Sequence, residues 1–259
     1  AAMILIHLDN KSLFHKELSQ YYSSKKNIIF INKRENVIWG GYSVVKATLN
    51  LIYFLQRTKI YYDYVILLSG QDFPIKTSKE IINFFKDNRG KQFISSHRIP
   101  FNKLQYNNGE DRIYYNWFID EIGYLLSRKI YKIQKLLHIK RTFPFKYVPY
   151  YGSQFFSINK ECVEYIIRFI DNHPSYEKYF KKTQRHRNCV QHQMIKNSPF
   201  DNKCINRNLH YFIFKKGSPS PEIIRNYQYP LLVSSDKLFA RKFDMAIDSK
   251  VLYKLSQIC

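Results

Sequence analysis

The chain has 259 residues, and its 42 Lys plus Arg against 20 Asp plus Glu give a formal net charge of +22. Hydrophobic residues make up 45%, with 22 Tyr and 20 Phe, so there is apolar surface for a sizeable core and disorder is excluded as the main state. Eight Gly and nine Pro exclude a collagenous chain, and the longest apolar runs are far too short to span a bilayer.

In chain order, residues 4–8 form a short buried strand and residues 12–23 carry helical spacing. A second strand, dense in β-formers, follows at 27–31. Residues 43–56 give a helix with a wide apolar face from Val44, Val45, Ala47, Leu49, Leu51, Ile52 and Leu55. A third buried strand, 64–68, is closed by Ser69-Gly70, and Ser78 is the expected N-cap of the next helix, with Ile81, Ile82 and Phe85 on it. A strand at 92–94 completes the first half. Residues 128–141, RKIYKIQKLLHIKR, form a basic amphipathic helix, broken by Thr142-Phe143-Pro144-Phe145. Its Ile130, Ile133, Leu137 and Tyr131 or Leu136 share one side. That side either packs on the helix's own domain or lies on an anionic membrane. Then come a strand at 154–158, helices at 160–170 and 189–196, a strand at 209–214 and a C-terminal helix at 248–257. The alternation predicts an α/β fold with a mostly parallel central sheet flanked by helices. With no repeat and no long linker, residues 1–259 are expected to be a single domain.

Cys162, Cys189, Cys204 and Cys259 include no Cys-x-x-Cys pair, so free thiols in a reducing compartment are expected rather than a zinc knuckle. The joint abundance of Ile, Lys, Asn, Tyr and Phe has two readings, an AT-rich genome and selection for a basic surface. A basic surface fits a phosphate-bearing substrate, an anionic membrane or nucleic acid. No nucleic-acid motif accompanies the charge, so nucleic acid is not the expected partner.

Three segments carry chemistry. Leu67 to Thr77 runs a buried strand into a small-residue turn and exposes Asp72 at the strand's C-terminal end, where ligands bind in open α/β sheets. The structural alternative is that Asp72 caps the turn. Trp39-Gly40-Gly41-Tyr42-Ser43 opens the long helix, and its glycines let a flat group come close to backbone; the alternative is a tight turn with a core tryptophan. Leu238-Phe239-Ala240-Arg241-Lys242-Phe243-Asp244, with Arg225 upstream, sets cations between apolar anchors and suits a diphosphate; the alternative is a solvated basic turn. Walker, G-x-G-x-x-G, H-E-x-x-H and G-x-S-x-G patterns are absent, as is any Asp-x-Asp.

Taken in order, five patches resemble the family of core-2/I-branching β-1,6-N-acetylglucosaminyltransferases and peptide O-xylosyltransferases. They are Ile6 to Ser12, Trp39-Gly40-Gly41-x-Ser43, Ser69 to Thr77, Gly152-Ser153-Gln154-Phe155-Phe156 and Leu238 to Asp244. Trp-Gly-Gly and Ala-Arg-Lys-Phe lean toward the xylosyltransferase-like branch. The resemblance implies a GT-A-type fold and inverting transfer of GlcNAc, xylose or a similar sugar from a UDP-sugar donor. It implies no metal and no other cofactor, basic residues taking the place of the cation that Asp-x-Asp usually holds. By resemblance, Lys242 binds phosphate, with Arg225 a looser match. Asp9 contacts uridine, Trp39 and Gly40 lie beside the nucleotide, and Asp72 faces the donor sugar. Glu110, Arg112 and Gln154 fall on the acceptor side.

Two departures stand out. The place of the family's catalytic Glu, counted back from Asn197-Ser198-Pro199, is held by Asn188, and an amide cannot take a hydroxyl proton as a carboxylate does. His192, one helical turn on, is the expected substitute, with His186 a second. The chain also begins almost at the His-x-Asp patch, so the family's first strand and helix are expected to be missing. The function expected is a bacterial cytoplasmic enzyme, peripheral at the inner membrane face, acting on a glycan or lipid-linked glycan in surface-polysaccharide synthesis. The other reading is a degenerate member that binds nucleotide or glycan without turnover.

Overall fold

A computed structural model describes residues 2–184, 190–215, 218 and 220–258. The elements in order are β1 (Ile4–Ile6), α1 (His15–Tyr21), β2 (Ile28–Phe30), α2 (Ser43–Thr58), β3 (Tyr64–Ile66), β4 (Asp72–Pro74), α3 (Ser78–Asp87) and β5 (Gln92–Arg98). The middle holds α4 (Gln105–Asn108), α5 (Glu110–Tyr114), α6 (Ile119–Leu136), β6 (Tyr150–Asn159), α7 (Lys160–Asn172) and α8 (Pro174–Phe180). The rest are α9 (Val190–Lys196), β7 (Cys204–Ile205), β8 (His210–Tyr211), α10 (Tyr229–Val233), β9 (Phe239–Arg241) and α11 (Lys250–Ser256).

The architecture is mixed α/β, and its sheets correct the expectation of a mostly parallel sheet. β1 and β2 pair in parallel, as do β5 with β7 and β8 with β9, but β3–β6 and β4–β9 are antiparallel. Strand–helix alternation dictates parallel pairing only where successive strands are neighbours. Here Tyr64 of β3 faces Asn159 of β6, so long connections set the direction instead.

The chain divides into two compact units, one of residues 1–62, 96–154 and 161–201, the other of 63–95, 155–160 and 202–259. In the first, α2 buries Val45, Leu49, Ile52 and Leu55 on one stripe. Each such side chain contributes about 2 kcal/mol of hydrophobic stabilisation. A second core gathers Tyr115, Trp117, Ile119 and Tyr131, with Trp117 stacked on Tyr131 at 4.6 Å between ring centroids. In the other unit, Ile75, Ile224, Leu232, Ala240, Phe243, Val251 and Leu255 form one core, and Phe93, Leu209, Leu238 and Phe239 another.

Several boundaries move. The N-cap of α3 is Thr77 rather than Ser78, with a reciprocal Thr77–Glu80 capping box. The predicted 209–214 strand shrinks to His210–Tyr211, while β5 extends to Arg98. The basic helix begins at Ile119, with Gly123 departing from helical geometry at φ 76°. The side expected to act as one is split: Tyr131 is buried and Ile130 half-buried, whereas Ile133, Leu136 and Leu137 are exposed. Cys162 is buried and Cys204 half-buried, and Cys189 and Cys259 lie outside the described residues. Among the described residues no helix is long and apolar enough to cross a membrane.

Candidate functional site

In the second unit, the turn from Ser69 to Asp72 sits against the β4–β9 pair. Asp72 sits opposite Arg241 in antiparallel register. Its Oδ1 accepts from Arg241 Nη1 at 3.0 Å, and its Oδ2 accepts from the Ser69 N–H at 2.6 Å. The same Arg241 nitrogen donates to Ser69 Oγ at 2.8 Å, and the guanidinium lies 4.7 Å from the Phe155 ring centroid. The Asp72 side chain is 0% exposed, so the turn does not expose it as expected; its bonds to Ser69 and Arg241 hold the 69–72 turn and the Arg241 side chain in place. Burial pushes its carboxyl above the usual range, against the opposing pull of Arg241 and Ser69. His210 Nε2 stands 3.7 Å from Asp72 Oδ2, but burial first, and Arg241 second, push that imidazole down to about 3. His210 is therefore neutral near pH 7, and its contact with Asp72 is not an ion pair.

Lys242 and Arg225 flank this turn. The Ile224 N–H donates to the Lys242 carbonyl at 2.8 Å, which sets Arg225 at the next position along. The Phe243 N–H donates to the Gln71 carbonyl at 2.9 Å and ties the segment to the Asp72 turn. Arg225 is exposed and Lys242 half-buried. Two cations thus flank a rigid backbone junction, an arrangement fit for an anionic group such as a diphosphate.

In the first unit, Asp9 follows β1 in a turn of its own making: its Oδ1 accepts from the Lys11 N–H at 2.9 Å. Arg34 clamps that loop by donating to the carbonyls of Leu8, Asp9 and Ser12. His7 Nε2 accepts from the Glu35 N–H at 2.9 Å. Trp39 is 50% exposed, so it is not the core tryptophan of the structural alternative. Gly40 has φ +83°, a conformation side chains rarely adopt.

At the paired glycines it is a carboxylate, from a residue the sequence did not flag, that comes close to the backbone. Asp120, from α6, accepts from the Tyr42 N–H at 2.5 Å, the Ser43 N–H at 3.2 Å and Ser43 Oγ at 2.8 Å. A carboxylate thereby caps the N-terminus of α2, where free N–H groups and the helix dipole favour negative charge. No local pattern links positions 78 residues apart in chain order.

His192 points inward. It is 2% exposed, and its Nε2 lies 2.6 Å from the Ser153 carbonyl. A carbonyl only accepts, so Nε2 carries the proton. Burial pushes this imidazole down to about 4. A group so placed is a poor acceptor for a substrate proton. Its neighbours continue the pattern: Gln193 Nε2 donates to the Tyr150 carbonyl, and the Asn197 amide bonds both the N–H and the carbonyl of Val148. Asn188 and His186 lie outside the described residues.

Of the acceptor-side candidates, Glu110 accepts from Asn107 Nδ2 at 2.8 Å and Gln154 is half-buried. Arg112 is 2% exposed, its guanidinium 5.6 Å and 5.3 Å from the ring centroids of Tyr106 and Tyr151. Among the described residues, no group of three His, Cys, Asp or Glu side chains could hold a metal ion.

The sequence matches the family model described as Core-2/I-Branching enzyme over residues 3–232. It is 24% identical over 278 residues to the protein named Xylosyltransferase oxt of Drosophila pseudoobscura pseudoobscura, covering 97% of this chain and 29% of that one. It is 27% identical over 165 residues to the N-acetyllactosaminide beta-1,6-N-acetylglucosaminyl-transferase of Mus musculus, covering 63% and 38%. It is 24% identical over 266 residues to Xylosyltransferase 2 of Canis lupus familiaris, covering 95% and 29%. The chain therefore spans 29% to 38% of the length of these curated relatives.

Proposed function

The chain belongs to the Core-2/I-Branching enzyme family, and on that premise we propose that it is a glycosyltransferase moving xylose or GlcNAc from a UDP-sugar to a hydroxyl of a glycan acceptor. The observation that carries the reading is the hydrogen bond from Ile224 to Lys242, which sets Arg225 and Lys242 at neighbouring positions of the unit that also holds the Asp72 turn. In the transfer, the acceptor oxygen bonds to the anomeric carbon from the side opposite the diphosphate. The bond from that carbon to the β-phosphate oxygen breaks, its electron pair leaves with UDP, and the configuration inverts. The hydroxyl proton goes to a base. Charge gathers on the departing β-phosphate, and Lys242 and Arg225 are of the right sign to stabilise it. Two cations at neighbouring backbone positions, with no Asp-x-Asp in the sequence, support a transfer that needs no divalent metal.

Against His192 as the base stand its burial, the engagement of its Nε2 with the Ser153 carbonyl and an imidazole pushed down to about 4.

The test is the melting temperature with UDP, with and without EDTA. A ligand that binds only the folded chain raises it in proportion to ln(1 + [L]/Kd). The expected result is a shift that survives EDTA and disappears in Lys242→Ala, with the unliganded melting temperature unchanged. No shift with UDP or any other nucleotide sinks the proposal. Turnover that vanishes with chelator sinks its metal-independent part. Turnover with UDP-xylose against UDP-GlcNAc assigns the donor, and UDP binding without turnover of either leaves a nucleotide-binding module instead.

A further inference from the structure

The helix α6 wears its side chains inside out. Ile119 is buried ahead of the Gly123 break, and after it the buried positions are Ser127, Tyr131 and Gln134, with Ile130 half-buried beside them. Its outward positions include Leu125 at 74% exposure, Leu126 at 53%, Ile133 at 56% and Leu136 at 77%, followed by Leu137 at 60%. At 100° per residue, these five fall on a stripe opposite the buried side. Burial of the aliphatic side would be the ordinary outcome for a surface helix.

Hydrogen bonds prevent the helix from rolling to that outcome. The Gln134 side chain accepts from the Asn116 N–H at 3.0 Å and donates to the Asn116 carbonyl at 2.9 Å. Ser127 Oγ accepts from the Phe118 N–H at 2.8 Å, and the Tyr131 hydroxyl donates to Asp111 at 2.7 Å. Turning the leucines inward would strand all of these polar groups without partners. The outward stripe is thus built into the fold.

Charge identifies what the stripe meets. Arg128, Lys129 and Lys132 are exposed in or beside it, and no Asp or Glu occurs from position 122 to position 160. A basin of about 580 Å³ next to the helix is lined by Arg128, Lys132, Lys135 and His138 together with Tyr106 and Tyr131. Lys135 already pairs with Asp111 at 2.6 Å, so Arg128 and Lys132 supply the charge there. A second copy of a +22 chain would bring like charge against like. An aliphatic stripe set among cations matches an anionic lipid surface, with acyl chains under the leucines and headgroup phosphates against the Lys and Arg.

We propose that the outward face of α6 is a docking surface for anionic phospholipid, holding the chain on a membrane without crossing it. This rests on the helix alone and stands whether or not the chain turns over a sugar nucleotide.

The experiment is co-sedimentation of the chain with phosphatidylcholine vesicles, with and without about one-third phosphatidylglycerol. The expected result is binding to the anionic vesicles, weakened by salt. Leu125→Ser with Leu136→Ser should lower affinity by about tenfold per leucine, because both leave the interface. Lys129→Gln with Lys132→Gln should lower it about fivefold per lysine. All four residues are exposed, so the melting temperatures should match the parent chain and each variant reports on binding. No binding to anionic vesicles at low salt overturns the proposal. So does binding that the leucine changes leave intact, which would reduce the effect to bulk charge. Leucine-dependent dimerisation without vesicle binding would assign the stripe to a second copy and overturn it as well.

Discussion

A Cβ on Gly41 would stand 2.0 Å from Oδ1 of Asp120. The glycine is there so that a carboxylate can reach the first N–H groups of α2. Gly41→Ala should therefore lower stability by about 2 kcal/mol in urea denaturation, through forced displacement of the carboxylate. Asp120→Ala should cost about 1–3 kcal/mol through lost charge-assisted hydrogen bonds. The pair acts on one contact, so the double variant should be less destabilised than the sum. Strict additivity would mean that the two residues act independently.

Stability should fall as the medium is acidified from pH 6.5 toward pH 4. His192 and His210 are held down to about 4 and about 3 in the folded chain, whereas unfolded imidazoles take up a proton near 6.5. In that window the unfolded state binds protons that the native state refuses, so acid favours unfolding. The slope is about 1.4 kcal/mol per pH unit for each imidazole. Urea midpoints of the parent chain and of His192→Gln, measured at pH 7 and pH 5, check this: the variant should lose less on acidification. An equal loss in both would remove His192 from the account.

Arg241→Met should be among the most damaging changes in the second unit. It leaves the buried Asp72 carboxylate facing only Ser69 and neutral His210, a loss of about 3–5 kcal/mol. Adding Asp72→Asn to Arg241→Met should restore part of it, since an amide carries no charge to strand. Thermal melts of the two variants make the comparison, and no recovery in the double variant would count against a charge-based penalty.

His192→Gln also separates structure from chemistry. The Gln amide nitrogen sits where Nε2 does and keeps a donor toward the Ser153 carbonyl. Turnover should stay within about threefold of the parent, with its pH profile unmoved, whereas loss of a general base costs about a hundredfold or more. A drop of that size, with a vanished acidic limb, would restore His192 as the proton acceptor.

Much of the fold is legible in the sequence where a segment settles its own structure. The α2 stripe of Val45, Leu49, Ile52 and Leu55 is one such segment, and the strand-and-stop at Tyr64 to Gly70 is another. β4 and β9 are not legible, because three residues such as Asp72-Phe73-Pro74 hold no periodicity and become a strand only by meeting Phe239–Arg241. Sheet direction fails for the same reason. At the site, Asp72 and Lys242 stand out by motif, but the partners that fix their roles, Arg241 for one and Ile224 for the other, come from the fold. Asp120 gives no local signal at all. The side of α6 that faces inward is decided by Gln134 and Ser127 finding backbone at Asn116 and Phe118, a choice that hydrophobic spacing alone does not make.

The row of side chains that α9 sends to the backbone from Val148 to Ser153 has a colloidal consequence. A strand with open N–H and C=O groups along one edge recruits strands from other molecules. β6 lies between β3 and β5, but β3 pairs only with its far end at Ser157–Asn159, and His192, Gln193 and Asn197 occupy backbone groups of Ser153, Tyr150 and Val148 before that pairing begins. Stripping two of the three would bare a template for intermolecular β-pairing, and the damage would register as turbidity on standing before it registered in a melting curve.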